Sequence, residues 1–310
     1  MDRKEFLKRA GAVGVVSALD FTGVKKVLAQ GGTQTQKTPD LVAVMGGEPA
    51  AMLDKILAEI GGIDKFVKKG NKVVLKPNIG WDKAPEMAAN TNPDLVAAMV
   101  RKCLAAGASE VVVFDHTCDN WQNCYQRSGI AKAVEGAGGK MIPGNDESYY
   151  IDYDLPQGVK LKKTKIHKAI LDCDVWFNIP VLKVHGGAKM TLSMKNLMGI
   201  VWDRGYFHQN DLQQCIADVN TFPKKPALHI VDAYRVLKEN GPQGKSASDV
   251  ETPKSLFAST DPVAVDTAAV KFFNQIKKMD IATVSHIEKA ESLKLGTMDI
   301  DAIEVKRVRM

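Results

Sequence analysis

Closely spaced thiols are missing from this chain. Its five cysteines, Cys103, Cys118, Cys124, Cys173 and Cys215, include no C-x-x-C pair. An iron–sulfur cluster needs a run of thiolate ligands, so none is expected here. An odd number of cysteines cannot all pair within one chain, which leaves at least one thiol free or intermolecular. Aromatic residues are few, at 6%, and no arginine-rich run or aromatic–basic interleave occurs. That excludes the usual footprint of a nucleic-acid partner. The phosphate-loop pattern G-x-x-x-x-G-K-[ST] is absent as well.

What is present is the balance of an ordinary globular chain: 310 residues, 45% hydrophobic and 25% charged, with a net charge of +6. Part of that charge sits at the start. Residues 1–30 carry six basic and three acidic residues, so the remainder has a net charge of only +3.

The start itself has the layout of an export signal: a charged head, then a Gly/Ala-rich apolar stretch. Arg3-Lys4-Glu5-Phe6-Leu7-Lys8 resembles the twin-arginine consensus, with Lys4 in the place of the second arginine. The apolar stretch is broken by Asp20 and is too short to span a bilayer. No lipoprotein cysteine follows it. The expectation is a signal over 1–30, a polar linker over 31–39 and one domain over 40–310, read by the twin-arginine export machinery and delivered to the periplasm without a membrane anchor. The other reading of the first residues is a native amphipathic helix.

Beyond residue 40, apolar runs alternate with helical stretches. Strands are expected at Asp40–Met45, Lys72–Leu75, Glu110–Phe114, Lys140–Pro143, Asp174–Ile179 and Ala227–Val231, with an edge strand within Ile300–Val308. Helices are expected at Pro93–Ala106, Ile130–Gly138, Thr191–Val201, Asp211–Asn220 and Pro262–Phe273. Runs without polar alternation imply strands covered on both faces. The fold class is therefore α/β, a mostly parallel Rossmann-like sheet flanked by helices, with a small β-rich insertion at 145–165.

Ligands of open parallel sheets bind at the carboxyl ends of strands. This chain places polar residues there repeatedly. Pro77 ends its strand and fixes Lys76, with Asn78 beyond it. Asp115-His116 follows another strand and suits imidazole orientation or joint metal binding. Lys183 and His185 are two residues apart, so on an extended chain they face the same way, and Thr191, Lys195 and Asn196 follow. Asp232 closes a further strand. Lys76, Asn78, Thr191, Lys195 and Asn196 are candidate ligand-binding groups; His116, Lys183 and His185 are candidate catalysts; Asp115, His116 and Asp232 are a candidate divalent-metal set.

The segments VVLKPNI (73–79), VVVFDH (111–116), NIPVLKVH with TLSMKNLMGI (178–200), VDAYRVLKENGPQG (231–244) and ASTDPVAVDT (258–267) together resemble a bacterial and archaeal family catalogued as domain of unknown function 362. The resemblance implies the α/β core and no established reaction. Several members of the family it resembles carry a fused ferredoxin-like module with cysteine-ligated clusters, and this chain lacks that cysteine run. The expected function is a Lys/His/Asp/Asn cleft for a small anionic molecule or a metal. It serves either an enzyme of unknown reaction or a non-catalytic binding or accessory protein, with iron–sulfur electron transfer ranked behind both.

Overall fold

The computed structural model describes residues 38–310. The expected signal over 1–30, and the linker up to residue 37, lie outside the described residues. Thirteen strands follow in chain order: β1 (Leu41–Met45), β2 (Lys72–Pro77), β3 (Glu110–Val113), β4 (Lys140–Met141), β5 (Tyr150–Asp154), β6 (Lys163–His167), β7 (Val175–Ile179), β8 (Val181–His185), β9 (Lys189–Thr191), β10 (Leu228–Leu237), β11 (Val250–Glu251), β12 (Ser255–Ser259) and β13 (Val305–Arg309). The helices are α1 (Pro49–Glu59), α2 (Pro93–Ala105), α3 (Trp121–Arg127), α4 (Ile130–Gly136), α5 (Lys168–Asp172), α6 (Ser193–Asn196), α7 (Gly205–Gln209), α8 (Leu212–Val219), α9 (Pro262–Phe273) and α10 (His286–Ser292).

The main sheet runs β13-β1-β12-β10-β7-β2-β3-β4. Strands β10, β7, β2, β3 and β4 are mutually parallel, as are β13 and β1. Only β12 runs against its neighbours on this path. The sheet is thus mostly parallel with helices on both faces. Alternation along each strand makes this work: Val73 and Leu75 join a core with α1, α2 and α4, while Val74 points into a second core with α8 and α9. Strands β5 and β6 form a separate antiparallel pair, the insertion.

Several elements depart from sequence expectation. The strand that begins near Ala227 does not stop at Asp232. It continues to Leu237, because its second half finds a new partner in β8. Strands β7 and β8 flank Pro180, whose carbonyl accepts from Asp232 N at 2.8 Å. Thr191 belongs to a strand, and only Ser193–Asn196 is α-helical before a 3₁₀ turn, Leu197–Ile200. Asp261 caps α9, accepting from Val263 N at 2.8 Å and Ala264 N at 2.9 Å. No helix among the described residues is long and apolar enough to cross a membrane.

Three histidines are packed into this interior. Burial holds His167 at about 4 and His229 and His286 at about 3, below the ordinary 6.5. Between those values and 6.5 the unfolded chain binds protons that the folded chain refuses. Their contribution is intact above 6.5 and is lost as pH falls towards the folded values. Asp232 and Asp266 act oppositely, since burial raises them to about 6 and about 7 and the folded chain keeps their protons. His116 and His185, also depressed by burial, join the larger side. The thermal midpoint is therefore expected to be lower at pH 5 than at pH 7.5 in a scanning calorimeter. An equal or higher midpoint at pH 5 would give the dominant role to the carboxylates.

Candidate functional site

The site is assembled from the carboxyl ends of β2, β3 and β7, from the β8–β9 hairpin and from α6. In the parallel pair of β2 and β7, Lys76 lies in register with Asn178, so neighbouring positions present both side chains to α6. Asn196 on α6 bridges them. Its amide nitrogen donates to Asn178 Oδ1 at 2.8 Å and to Lys76 O at 3.2 Å. Its amide oxygen accepts from Lys76 Nζ at 2.9 Å and from Asn78 Nδ2 at 3.0 Å. The helix is held in place by Asp266 of α9, which accepts from Ser193 N at 2.8 Å and Met194 N at 3.0 Å.

Lys76 is fully buried, and its ammonium group is saturated. It donates to Asn196 Oδ1 and to Pro77 O at 3.0 Å, and it pairs with Asp115 Oδ1 at 2.7 Å. Asp115 Oδ2 in turn accepts from Ile79 N at 2.7 Å. A buried charge with three acceptors is a structural cation, with no proton left for a ligand. The close approach depends on Gly199: a Cβ there would overlap Asp115 Oδ1 and crowd Lys76 Nζ.

Lys183 differs. It is 1% exposed and donates to Asn78 Oδ1 at 2.9 Å and to Ala89 O, but it has no carboxylate partner. Burial, aided by the nearby Lys195 charge, lowers it to about 7. Burial also lowers Lys195, to about 8. Arg204 donates to His116 O at 2.7 Å, to Thr117 O at 2.7 Å and to Cys118 Sγ at 3.4 Å, none of them a carboxylate. Three cations therefore face one cleft with no carboxylate against them among the described residues.

Of the three histidines that line the cleft, His116, His185 and His208, the first two hold opposite tautomers. Val201 O lies 2.9 Å from His116 Nδ1, and a carbonyl can only accept, so the proton sits on Nδ1 and Nε2 carries the lone pair. Ala188 N donates to His185 Nδ1 at 3.2 Å, which leaves the proton of His185 on Nε2. Burial, then the Arg204 charge, lowers His116 to about 4. Burial, then Lys195 and Lys183, holds His185 far below its ordinary value. Both rings are neutral at pH 7, one an acceptor and the other a donor. His116 also stacks on Trp202, with ring centroids 5.0 Å apart and planes 2° off parallel.

The cleft has a volume of about 440 Å³. It brings together Lys76, Asn78, Asp115, His116, Lys183, His185, Thr191, Lys195 and Asn196. Thr191, opposite Lys183 in the hairpin register, has a buried hydroxyl with no partner. Gly186 and Gly187 are the exposed hairpin turn and stay outside the lining.

Asp232 is a correction. It lies within β10 rather than at a strand end, is 1% exposed, and does not line the cleft. Its carboxylate accepts from Asn92 N at 2.7 Å and Tyr234 N at 3.0 Å. It clamps the turn before α2, where Thr91 Oγ1 accepts from Asn78 N at 2.8 Å and donates to Ile179 O at 2.7 Å. The metal set Asp115, His116 and Asp232 is consequently not assembled. Asp115 is committed to Lys76, and among the described residues no three His, Cys, Asp or Glu groups converge on one point. Sequence reasoning missed Arg204 and Cys118 as lining residues: Arg204 lies in the loop after the 3₁₀ turn, away from any strand end, and Cys118 lies two residues past His116 in the loop after β3.

An α/β protein with a basic cleft at the carboxyl ends of a mostly parallel sheet is the class that this fold and site define. The chain belongs to the family described as Domain of unknown function (DUF362), whose model matches residues 73–271. A thylakoid-associated protein of Synechocystis sp. is 26% identical over 261 residues, which make up 81% of this chain and 76% of that protein. The solved lactate racemase apoprotein from Thermoanaerobacterium thermosaccharolyticum superposes with a TM-score of 0.50 at 14% identity, covering 76% of this chain and 57% of that one. This likeness is one of fold, and the chain spans just over half of that protein's length.

Breaking a buried ion pair from one side costs about 3–5 kcal/mol. Gly199→Ala and Asp115→Ala are each expected to lower unfolding free energy by about that much in urea titrations. A loss below about 1 kcal/mol for both would mean that the Lys76–Asp115 pair does not organise the site.

Proposed function

We propose that this protein is an enzyme that binds a small phosphate or carboxylate anion in the cleft and moves a proton on it. One observation carries the reading: Lys183 is buried, unpaired by any carboxylate and lowered to about 7. Two of its N–H groups are committed to Asn78 Oδ1 and Ala89 O, so its remaining position either donates a proton or offers a lone pair. A group poised near neutral pH serves as acid or base with little cost in either direction. Lys195, Arg204 and the His185 Nε2–H supply positive charge and donors for the anion, and Thr191 supplies an unpartnered hydroxyl. His116 offers Nε2 as an acceptor on the same cleft.

A second reading keeps the anion site without the chemistry, as in a carrier or accessory protein. The contrasting tautomers of His116 and His185 favour the enzyme, because a pure binder of anions gains nothing from a lone pair facing the ligand. The proposal also places the protein outside the cytoplasm, on the strength of the twin-arginine-like head at Arg3–Lys8. Mass analysis of the mature chain from cell fractions tests that part, and an uncleaved cytoplasmic chain would contradict it.

An arriving anion favours the charged lysines, so binding takes up protons. Affinity for inorganic phosphate by calorimetry is expected to fall about tenfold per pH unit above the first lysine pKa and more steeply, towards about a hundredfold per unit, above both. Lys183→Met is expected to weaken it at least about tenfold at pH 7. Phosphate should also shield Cys118, the exposed cysteine among the described residues, from alkylation. Binding that ignores pH and Lys183 would contradict the reading. Deuterium uptake from heavy water into short carboxylates or phosphate esters separates enzyme from carrier. Uptake lost in His116→Gln supports the enzyme, whereas binding without any uptake supports the carrier.

A further inference from the structure

The cleft is not alone. A larger cavity of about 680 Å³ opens beside it, and the two share His116, Arg204 and Gly205. Its far wall comes from the β5–β6 insertion, which contributes nothing to the inner cleft. The insertion is docked by main chain to the segment that carries the shared wall: Trp202 N donates to Lys165 O at 3.1 Å, and Ile166 bridges to Val201.

The two compartments differ in charge. In the inner cleft the Lys76 charge is met by Asp115, while Lys183, Lys195 and Arg204 lack carboxylate partners among the described residues. The cations of the outer cavity's insertion wall are matched: Lys165 pairs with Glu147 at 2.6 Å and Lys163 faces Asp152 at 3.7 Å. Beyond these pairs the lining carries Asp203, whose Oδ1 accepts from Tyr206 N at 3.0 Å, the shared Arg204, and the ring surfaces of Trp202 and Tyr206, the flat surface open to a ligand. Trp202 is fixed from behind by its stack on His116 and by Tyr150, whose ring centroid lies 5.4 Å away. A rigid, half-buried indole suits a flat apolar group, which it covers at low entropic cost.

We propose that the outer cavity is a second subsite of the same ligand, taking a flat, uncharged body whose anionic head occupies the inner cleft. The head-to-body bond then lies beside His116 and Arg204, the two side chains common to both compartments. This rests on the anion-binding reading above and adds the ligand's amphipathic character: an anion carried on an aromatic or similarly planar group.

Inorganic phosphate and phenyl phosphate distinguish the two levels. By calorimetry on the whole protein, phenyl phosphate is expected to bind at least about tenfold tighter than phosphate, since a ring moves from water onto Trp202. Trp202→Ala should cut that preference to about threefold or less. Because Trp202 also supports His116, Tyr206→Ala is the second variant, expected to reduce the preference without touching that stack. Equal affinities for the two probes in the unaltered protein would overturn the subsite and leave the head-group reading standing. A preference that survives both substitutions would overturn its location in the outer cavity. Failure of both probes to bind would overturn the head-group reading and the subsite with it.

Discussion

A single buried hydrogen-bonded chain holds the functional end of this molecule together: Asp115 to Lys76, Lys76 to Asn196, Asn196 to Asn78, Asn78 to Lys183. Each link joins a different piece of the fold. Asp115 follows β3, Lys76 lies next to last in β2, Asn196 rides on α6 and Lys183 stands on β8. An unpaired charge in such a place costs several kcal/mol, so the interior tolerates Lys76 only because all three of its protons are met. Once met, that lysine pins the strand ends and the helix to one another. Gly199 is the space that the arrangement requires.

Function follows from what this chain leaves over. Lys76 and Asp115 cancel, and the excess resides on Lys183, Lys195 and Arg204, which face the cleft without carboxylates. Desolvation makes two of these cations weak acids, at about 7 and about 8. The same low-dielectric setting that penalises their charge strengthens their attraction for an incoming anion. Two neutral imidazoles with opposite proton placements complete a site that can donate on one side and accept on the other. The insertion β5–β6 then explains itself as the outer wall of a neighbouring, charge-balanced cavity.

Much of this was legible in the residues. Apolar runs without alternation announced strands covered on both faces. Pro77 marked where β2 ends, and the two-residue spacing of Lys183 and His185 put both on one side of an extended chain, where the β8–β9 hairpin carries them. The failures have physical causes too. Asp232 follows an apolar run, and nothing local reveals that β10 gains a second partner after Pro180 and runs on. Its carboxylate was needed by main-chain donors at Asn92 and Tyr234, a demand set by tertiary contact. The distinction between saturated Lys76 and available Lys183 depends on hydrogen-bond partners over 100 residues away in sequence, which no spacing rule encodes.

The central claim is that this network buries Lys183 with two committed protons and no counter-charge, which brings its titration to neutrality. Heteronuclear NMR of protein carrying ¹³C-labelled lysine, with the signal assigned by its loss in Lys183→Arg, measures this directly. The resonance is expected to titrate at about 7. A midpoint near 10.4, that of a solvated lysine, would contradict the desolvated, unpaired site on which the functional reading stands.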